Sequence, residues 1–302
     1  MDVQIIYNTP HEIPLGWFIA TYFYLTGLSA GSFVVSVIAT IGGKAEYKPL
    51  GKIGAVLAPI LLILAPLNLI IDLEQPLRFW HLFVYLNFTS PITYGTFLLT
   101  IYPISGLIYA WFVFKGNQKM ASFFGIIGIP LAICTHGYTG FILALGKGRA
   151  LWSTALMPSL FIVSAMVSGI ALLILAASIR NRFFLKNTEE KERDKDLIIG
   201  LGKFMGGIIM MDIFMVFNAI IVLLTSTKEA YEVVKLMLIG SFSYEFLGIE
   251  IFLGGIIPLF LVFNKKTRKS LRWLIIASIL TLIGVYSMRI VVVIAGQSIP
   301  LH

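Results

Sequence analysis

Charge is what this chain most conspicuously lacks. Asp, Glu, Lys and Arg make up 13% of its 302 residues against 58% hydrophobic ones, and the mean hydropathy is +0.91. A soluble globular domain carries about 25% charged residues, so an ordinary cytoplasmic enzyme is excluded and the composition is that of an integral membrane protein. Cysteine is nearly absent as well: Cys134 stands alone. Intrachain disulfides, cysteine-ligated iron-sulfur clusters and all-cysteine zinc sites are thereby excluded. If electrons pass through this protein, the metal sits on another chain. Of the four histidines, His11 and His302 are terminal, leaving His81 and His136, too few for the facing pairs of a two-haem bundle. No metal site is expected here. The first residues, MDVQIIYNTPHEIPLG, have two acids and a proline in place of a basic n-region. The first helix is therefore expected to be its own insertion signal.

What the chain does have is apolar length. Continuous runs fall at 15–41, 50–71, 92–114, 120–145, 155–179, 198–224, 236–263 and 271–295. Each suffices to cross a bilayer, and none alternates as a barrel strand would. The expected fold is an all-α polytopic bundle of eight transmembrane helices with no separate soluble domain. Sixteen Lys and Arg lie in the connections after helices 1, 3, 5 and 7, against five (Arg78, Lys147, Arg149, Lys228, Lys235) on the other side. The positive-inside rule then puts the basic loops in the cytoplasm and both termini on the periplasmic or extracellular side of the cell membrane. Topology accounts for the net charge of +8, and nucleic acid is not needed as a partner. Residues 180–196, mixed in charge, read as a solvated linker between five helices and three. On the outer side, 72–91 is long and aromatic, with Phe79, Trp80, Phe83, Tyr85 and Phe88 beside Arg78 and His81, suited to the headgroup layer.

Ionisable residues at membrane depth are the candidate functional groups. Asp212, Glu245, Glu250 and Arg289 lie inside apolar runs. Such groups are costly, so they face the bundle interior and mark proton or ion routes; the alternative is an Arg/Glu pair that only locks helix 7 to helix 8. His136 lies near the end of helix 4, two residues before Tyr138. Small-residue stretches LTGLSAGSF and VSAMVSG read as close helix packing. GKGRA at 146–150 lacks the Walker pattern and reads as a short outer loop.

With these residues in view, the chain resembles the NrfD/PsrC family, membrane subunits of polysulfide reductase and related respiratory molybdoenzymes. The resemblance is carried by GLSAGS, IIDLEQPLRFWHLF followed by TSPITYG, THGYTGFILAL, GRALWSTALMPSLFIVSAMVSG, YEFLGIEIFLGGIIP and the R and GQ of SMRIVVVIAGQ. It implies an eight-helix subunit reactive with menaquinone or a similar quinone and carrying no metal. In the family this subunit docks on a four-cluster iron-sulfur subunit, which serves a molybdopterin catalytic subunit. The resemblance also places the quinone head at the outer ends of helices 1 and 4 and matches the family's quinone-site tyrosine to Tyr138. Where one relative offers Asn and His on helix 1, this chain has Ile19 and Tyr22.

A quinone site needs an apolar slot, a hydrogen-bond donor for each carbonyl and a proton-exchanging group. Tyr22, His136, Tyr138, Asp72, Arg78 and His81 are expected near the outer third and supply these parts. Tyr138 is assigned to a carbonyl, Asp72 or His81 to proton exchange, and Arg78 to an electrostatic anchor. Trp80, Arg149 and Trp152 are assigned to the partner interface. The expected function is exchange of electrons between a quinone pool and an external iron-sulfur partner, with a proton route through Asp212, Glu245, Glu250 and Arg289. The competing readings are a purely proton-conducting subunit and a secondary transporter.

Overall fold

The computed structural model describes residues 15–73 and 75–299, which leaves His11 and His302 outside the described residues. Ten α-helices are present among them: α1 Trp17–Ile41, α2 Lys48–Ile71, α3 His81–Val84, α4 Pro91–Lys115, α5 Gln118–Ala144, α6 Leu156–Phe183, α7 Thr188–Leu224, α8 Lys228–Leu238, α9 Ile257–Phe263 and α10 Leu271–Ala295. A π-helical stretch, Tyr244–Ile256, runs straight into α9. Eight helices are long and apolar enough to cross a membrane: α1, α2, α4, α5, α6, α7, Tyr244–Phe263 and α10.

The spans form two rings of four. In the first, α1, α2, α4 and α5 each pack on the next and α5 closes on α1; in the second, α6, α7, the π/α9 helix and α10 do the same, and α1 and α6 join the rings. Without a hydrophobic force between helices in lipid, such joints depend on close packing and interhelical hydrogen bonds. At the central joint a methyl on Gly31 would lie 2.1 Å from the Ala165 carbonyl oxygen, and one on Gly169 would lie 2.4 Å from the Gly31 backbone. The two small-residue stretches are thus where α1 and α6 touch backbone to backbone. Ser29 and Ser36 on α1 add donated bonds to the α2 carbonyls of Ala58 and Gly51, at 2.7 and 2.6 Å.

Two connections differ from the sequence expectation. The stretch 180–196 is mostly helix rather than solvated linker: α6 continues to Phe183 and α7 starts at Thr188. The Asn187 side chain accepts the Glu189 N–H at 3.0 Å, and Glu189 and Glu190 sit in the first turn, where the helix dipole favours them. Arg180 pairs with Asp194 at 2.6 Å, and the Asn181 amide donates to the Lys191 carbonyl at 2.8 Å, zipping the two helices together beyond the apolar runs. The second difference concerns the run expected at 236–263. Its beginning belongs to α8, an amphipathic helix that buries Ala230, Val233, Val234 and Met237, and the span itself begins only at Tyr244. Hydropathy registered the apolar residues of α8 but not the turn that separates it.

Candidate functional site

Tyr138, in the C-terminal part of α5, packs against the backbone of α4 at Gly95. A methyl on Gly95 would lie 2.4 Å from the Tyr138 ring and hydroxyl. The glycine of the SPITYG segment is therefore the floor under this phenol. Tyr22, buried on α1, lies near enough for the two phenols to interact electrostatically. Neither hydroxyl has a hydrogen-bond partner among the described residues. Other core phenols do: Tyr102 is bonded to Ser29, and Tyr109 to Ser36 and Thr40. Two free donors side by side in an apolar surround are what a dicarbonyl ligand requires.

Asp72 caps the C-terminal end of α2, with a carboxylate oxygen 3.9 Å from where a methyl on Gly16 would stand, at the N-terminus of α1. Tyr22 is six residues further along, about 9 Å deeper. Burial holds the Asp72 carboxyl above the ordinary carboxylate value of 3.8. Arg78 is exposed, and His81 meets Trp80 and Tyr85 edge-on at 4.1 and 5.4 Å, so both belong to the connection between α2 and α4 itself. That segment exposes Leu77, Trp80, Phe83, Tyr85 and Phe88.

His136 parts company with Tyr138. Two residues apart on a helix of 3.6 residues per turn, they point to nearly opposite faces. The His136 ring is buried between the rings of helices. Its Nδ1 is 3.3 Å from the Thr26 hydroxyl, and its Nε2 is 3.0 Å from the Phe161 carbonyl and 3.3 Å from the Arg289 guanidinium. Nε2 can donate to Phe161 or accept from Arg289, but not both, so the proton position on this ring decides which contact is a hydrogen bond. Arg289, fully buried, also donates to the Ser164 hydroxyl at 2.5 Å and the Phe161 carbonyl at 3.3 Å, and its guanidinium carbon lies 3.8 Å from the centre of the Phe161 ring. The alternative reading, an Arg/Glu lock between the last two spans, is not what forms among the described residues. Arg289 ties α10 to α5 and α6, while its Nε and Nη1 have no partner.

Asp212 and Glu250 are the opposite charges that Arg289 feels across a gap, without an ion pair. A cavity of about 20 Å³ lies between Asp212 and Glu250, lined also by Gly254, Gly284 and Met288. A second, of about 40 Å³, runs from Glu250 to Thr154 and Leu151. Each has room for at least one water. Glu250 thus stands between two voids, one leading inward to Asp212 and the other toward the loop before α6. The π winding contributes here. Bonds from i to i+5 stack residues five apart, so Glu245 and Glu250 fall one above the other, whereas α winding would set them roughly 140° apart. The Glu245 carbonyl accepts the Ser287 hydroxyl at 2.9 Å, and its Oε2 is enclosed without a partner, as is Oδ1 of Asp212.

Two of the residues assigned to a partner interface have internal roles. Trp152 is buried and donates its indole N–H to the Val292 carbonyl at 2.7 Å; a side chain with 7% exposure presents no docking face. Arg149 donates to the carbonyls of Gln297 and Ile299, at 3.3 and 2.7 Å, closing the end of α10. Trp80 alone is open, with 49% exposure. The residues that sequence reasoning missed are Thr26, Phe161, Ser164 and Gly95. Ser164 and Gly95 stood in motifs already singled out, but small residues carry no sign of whether they pack or bond. Among the described residues no group of three or more His, Cys, Asp or Glu could hold a metal ion.

The fold and site define an eight-span helical membrane protein with free phenols at one end of its first ring and a charged cluster inside its second. The chain belongs to the NrfD family, described as polysulphide reductase, NrfD, whose sequence model matches residues 6–300. It is 31% identical to the Hdr-like menaquinol oxidoreductase integral membrane subunit of Archaeoglobus fulgidus, over 96% of this chain and 72% of that one. It is 29% identical to the C polypeptide of polysulfide reductase from Wolinella succinogenes, over 97% and 96% of the two sequences. The C polypeptide of selenate reductase from Mesobacillus selenatarsenatis is 26% identical, over 94% and 74%.

Proposed function

We propose that this chain is the quinol-reactive membrane subunit of a respiratory oxidoreductase complex. The observation that carries the reading is the pair of unpartnered phenols, Tyr22 and Tyr138, held beneath Asp72 at the outer end of the first ring. A quinol seated there would be hydrogen-bonded through its oxygens by the phenols. Its oxidation releases two protons and two electrons; in this reading the Asp72 carboxylate accepts the protons one after the other and passes each to the water beside it before taking the next. The electrons leave to a partner, because a single cysteine cannot hold an iron-sulfur cluster in this chain. Similarity to menaquinol oxidoreductase and polysulfide reductase subunits supports menaquinol as the donor. An iron-sulfur subunit with four clusters and a molybdopterin subunit holding the terminal-substrate site are the partners we assign, docked over Trp80 and the exposed aromatics of the outer segment. The charge asymmetry supports termini and quinone site on the periplasmic or extracellular side.

The second ring supports a proton route, with Glu250 exchanging between the void toward Thr154 and the void beside Asp212. The deciding experiment is menaquinol oxidation by the assembled complex carrying Tyr138→Phe. Loss of one hydrogen bond worth about 0.5–1.5 kcal/mol slows turnover about 2- to 12-fold. Unchanged turnover with the complex intact would refute the site.

A further inference from the structure

A cavity far larger than the two voids beside Glu250 belongs to neither site. It is a groove at the end of the bundle that carries the basic loops, between the last turns of α1, the start of α2 and the first half of α7, with a volume of about 660 Å³. Its walls are apolar at depth (Val35, Ile38, Leu197, Leu201, Phe204) and polar at the rim (Glu46, Tyr47, Arg193, Asp196). From Arg193 to Phe204 is eleven residues of helix, about 16 Å, which is half the roughly 30 Å hydrocarbon thickness of a bilayer. A partner's transmembrane helix would need the full thickness. The groove is one leaflet deep, and its volume falls within the ~300–1,000 Å³ of ordinary ligand sites.

The rim charges decide among apolar-tailed occupants. Arg193 and Asp196 are exposed and have no ion-pair partner among the described residues, and the Tyr47 hydroxyl has no hydrogen-bond partner. Lys44 stands over the Tyr47 ring at 5.8 Å and 3.9 Å from Glu46. The rim therefore offers Arg193 and the Tyr47 phenol, with Lys44 just outside it, to a phosphate, and the Asp196 and Glu46 carboxylates to an ammonium. A quinone head has neither charge, and a purely anionic head would meet Glu46 and Asp196 unfavourably. We propose that this groove is a binding site for a zwitterionic aminophospholipid, with phosphate on Arg193, Lys44 and Tyr47, ammonium on Asp196 and Glu46, and one acyl chain along α7.

Gly200 lines the groove, and a methyl there meets nothing within 4 Å, so a large side chain enters the cavity without disturbing the fold. The test is made on the purified full-length protein, reconstituted with equal parts phosphatidylethanolamine, phosphatidylglycerol and phosphatidylcholine plus menaquinone, re-extracted, and its retained molecules quantified by mass spectrometry. Phosphatidylethanolamine should be retained about tenfold over the other heads. Gly200→Trp should abolish that excess, Arg193→Gln and Asp196→Asn should each reduce it severalfold, and Ile221→Trp, exposed at the other end of α7, should leave it unchanged. Equal retention of all three heads, menaquinone recovered in the lipid's place, or undiminished retention in a folded Gly200→Trp protein would each overturn the proposal. If Gly200→Trp does not fold, the two rim variants decide by the same criterion.

Discussion

Replacing Gly95 with alanine tests the quinol site without touching a polar group. The added methyl would stand 2.4 Å from Cζ and the hydroxyl of Tyr138 and 2.5 Å from Cε1, where ordinary carbon contacts need about 3.5 Å or more. The ring or α4 must move by about 1 Å. Overpacking of this kind costs about 1–3 kcal/mol of stability, which a 302-residue membrane protein survives as a lowered Tm. A displacement of about 1 Å in a reacting geometry costs on the order of 100-fold in rate. Gly95→Ala should therefore assemble, melt a few degrees lower, and oxidise menaquinol 10- to 100-fold more slowly, a larger loss than Tyr138→Phe gives. If the loss acts through the phenol, the double variant Gly95→Ala/Tyr138→Phe is no slower than Gly95→Ala alone, since neighbouring changes on one contact are not additive. Turnover of Gly95→Ala equal to wild type, or a double variant whose losses multiply, would refute the placement of Tyr138 at the reacting oxygens.

Three further outcomes are expected. Because burial raises the Asp72 pKa, its ionised, proton-accepting form is lost as pH falls through a value above 3.8; Asp72→Asn should remove that acid limb from the turnover profile. The sign for stability is opposite to a salt-bridged acid: the ionised carboxyl costs stability at neutral pH, so Asp72→Asn should raise Tm at pH 7 and the gain should vanish below about pH 3.8. Arg289→Ala removes the donor to His136, Ser164 and Phe161 and leaves Asp212 and Glu250 without counter-charge, at a cost of about 3–5 kcal/mol. Size-exclusion profiles should show loss of monodisperse protein, which Arg289→Lys partly restores. Asp212→Asn and Glu250→Gln should abolish charge translocation in liposomes while electron transfer continues; equal coupling would return both acids to a structural role.

How far the sequence carried these expectations depended on which physical signal each feature leaves. Spans are legible because the lipid-facing positions of a membrane helix must be apolar over its whole length, and α1, α2, α4 and α5 lie within two residues of their expected bounds. The helical hairpin at 180–196 was not, because hydropathy follows lipid and that segment is held by Arg180, Asp194 and an Asn187 cap. Tyr138 was singled out through its motif, and the structure separates it from His136, which the motif did not. Membership in one short run, CTHGY, says nothing of face until the two residues are placed about 200° apart on α5. The identity of the groups around Arg289 was hidden for a related reason: a backbone carbonyl at Phe161 and a serine in a packing stretch look the same in sequence whether or not they hold a guanidinium.

That arrangement around Arg289 has a consequence for coupling. Among the described residues the guanidinium is bonded on one side only, to His136, Ser164 and Phe161, while Nε and Nη1 have no partner and Asp212 and Glu250 stand across a gap. One cation and two carboxylates in an apolar surround reach neutrality when a single proton resides on the acids, so a proton arriving or leaving there changes the field at Arg289. The His136 ring responds to that field, because it can accept from Arg289 or donate to Phe161 but not do both. Its other nitrogen faces Thr26, whose hydroxyl donates to the Tyr22 and Phe23 carbonyls on α1 at 3.0 Å each. The contacts therefore run without interruption from the acids' counter-charge to the backbone of α1, the helix that carries Tyr22. Replacing His136 with Phe would break that chain while leaving both end sites their own side chains. It should reduce charge translocation per electron more than it reduces electron transfer itself, and a proportional loss of both, measured in the same liposomes, would show that the two rings work without this link.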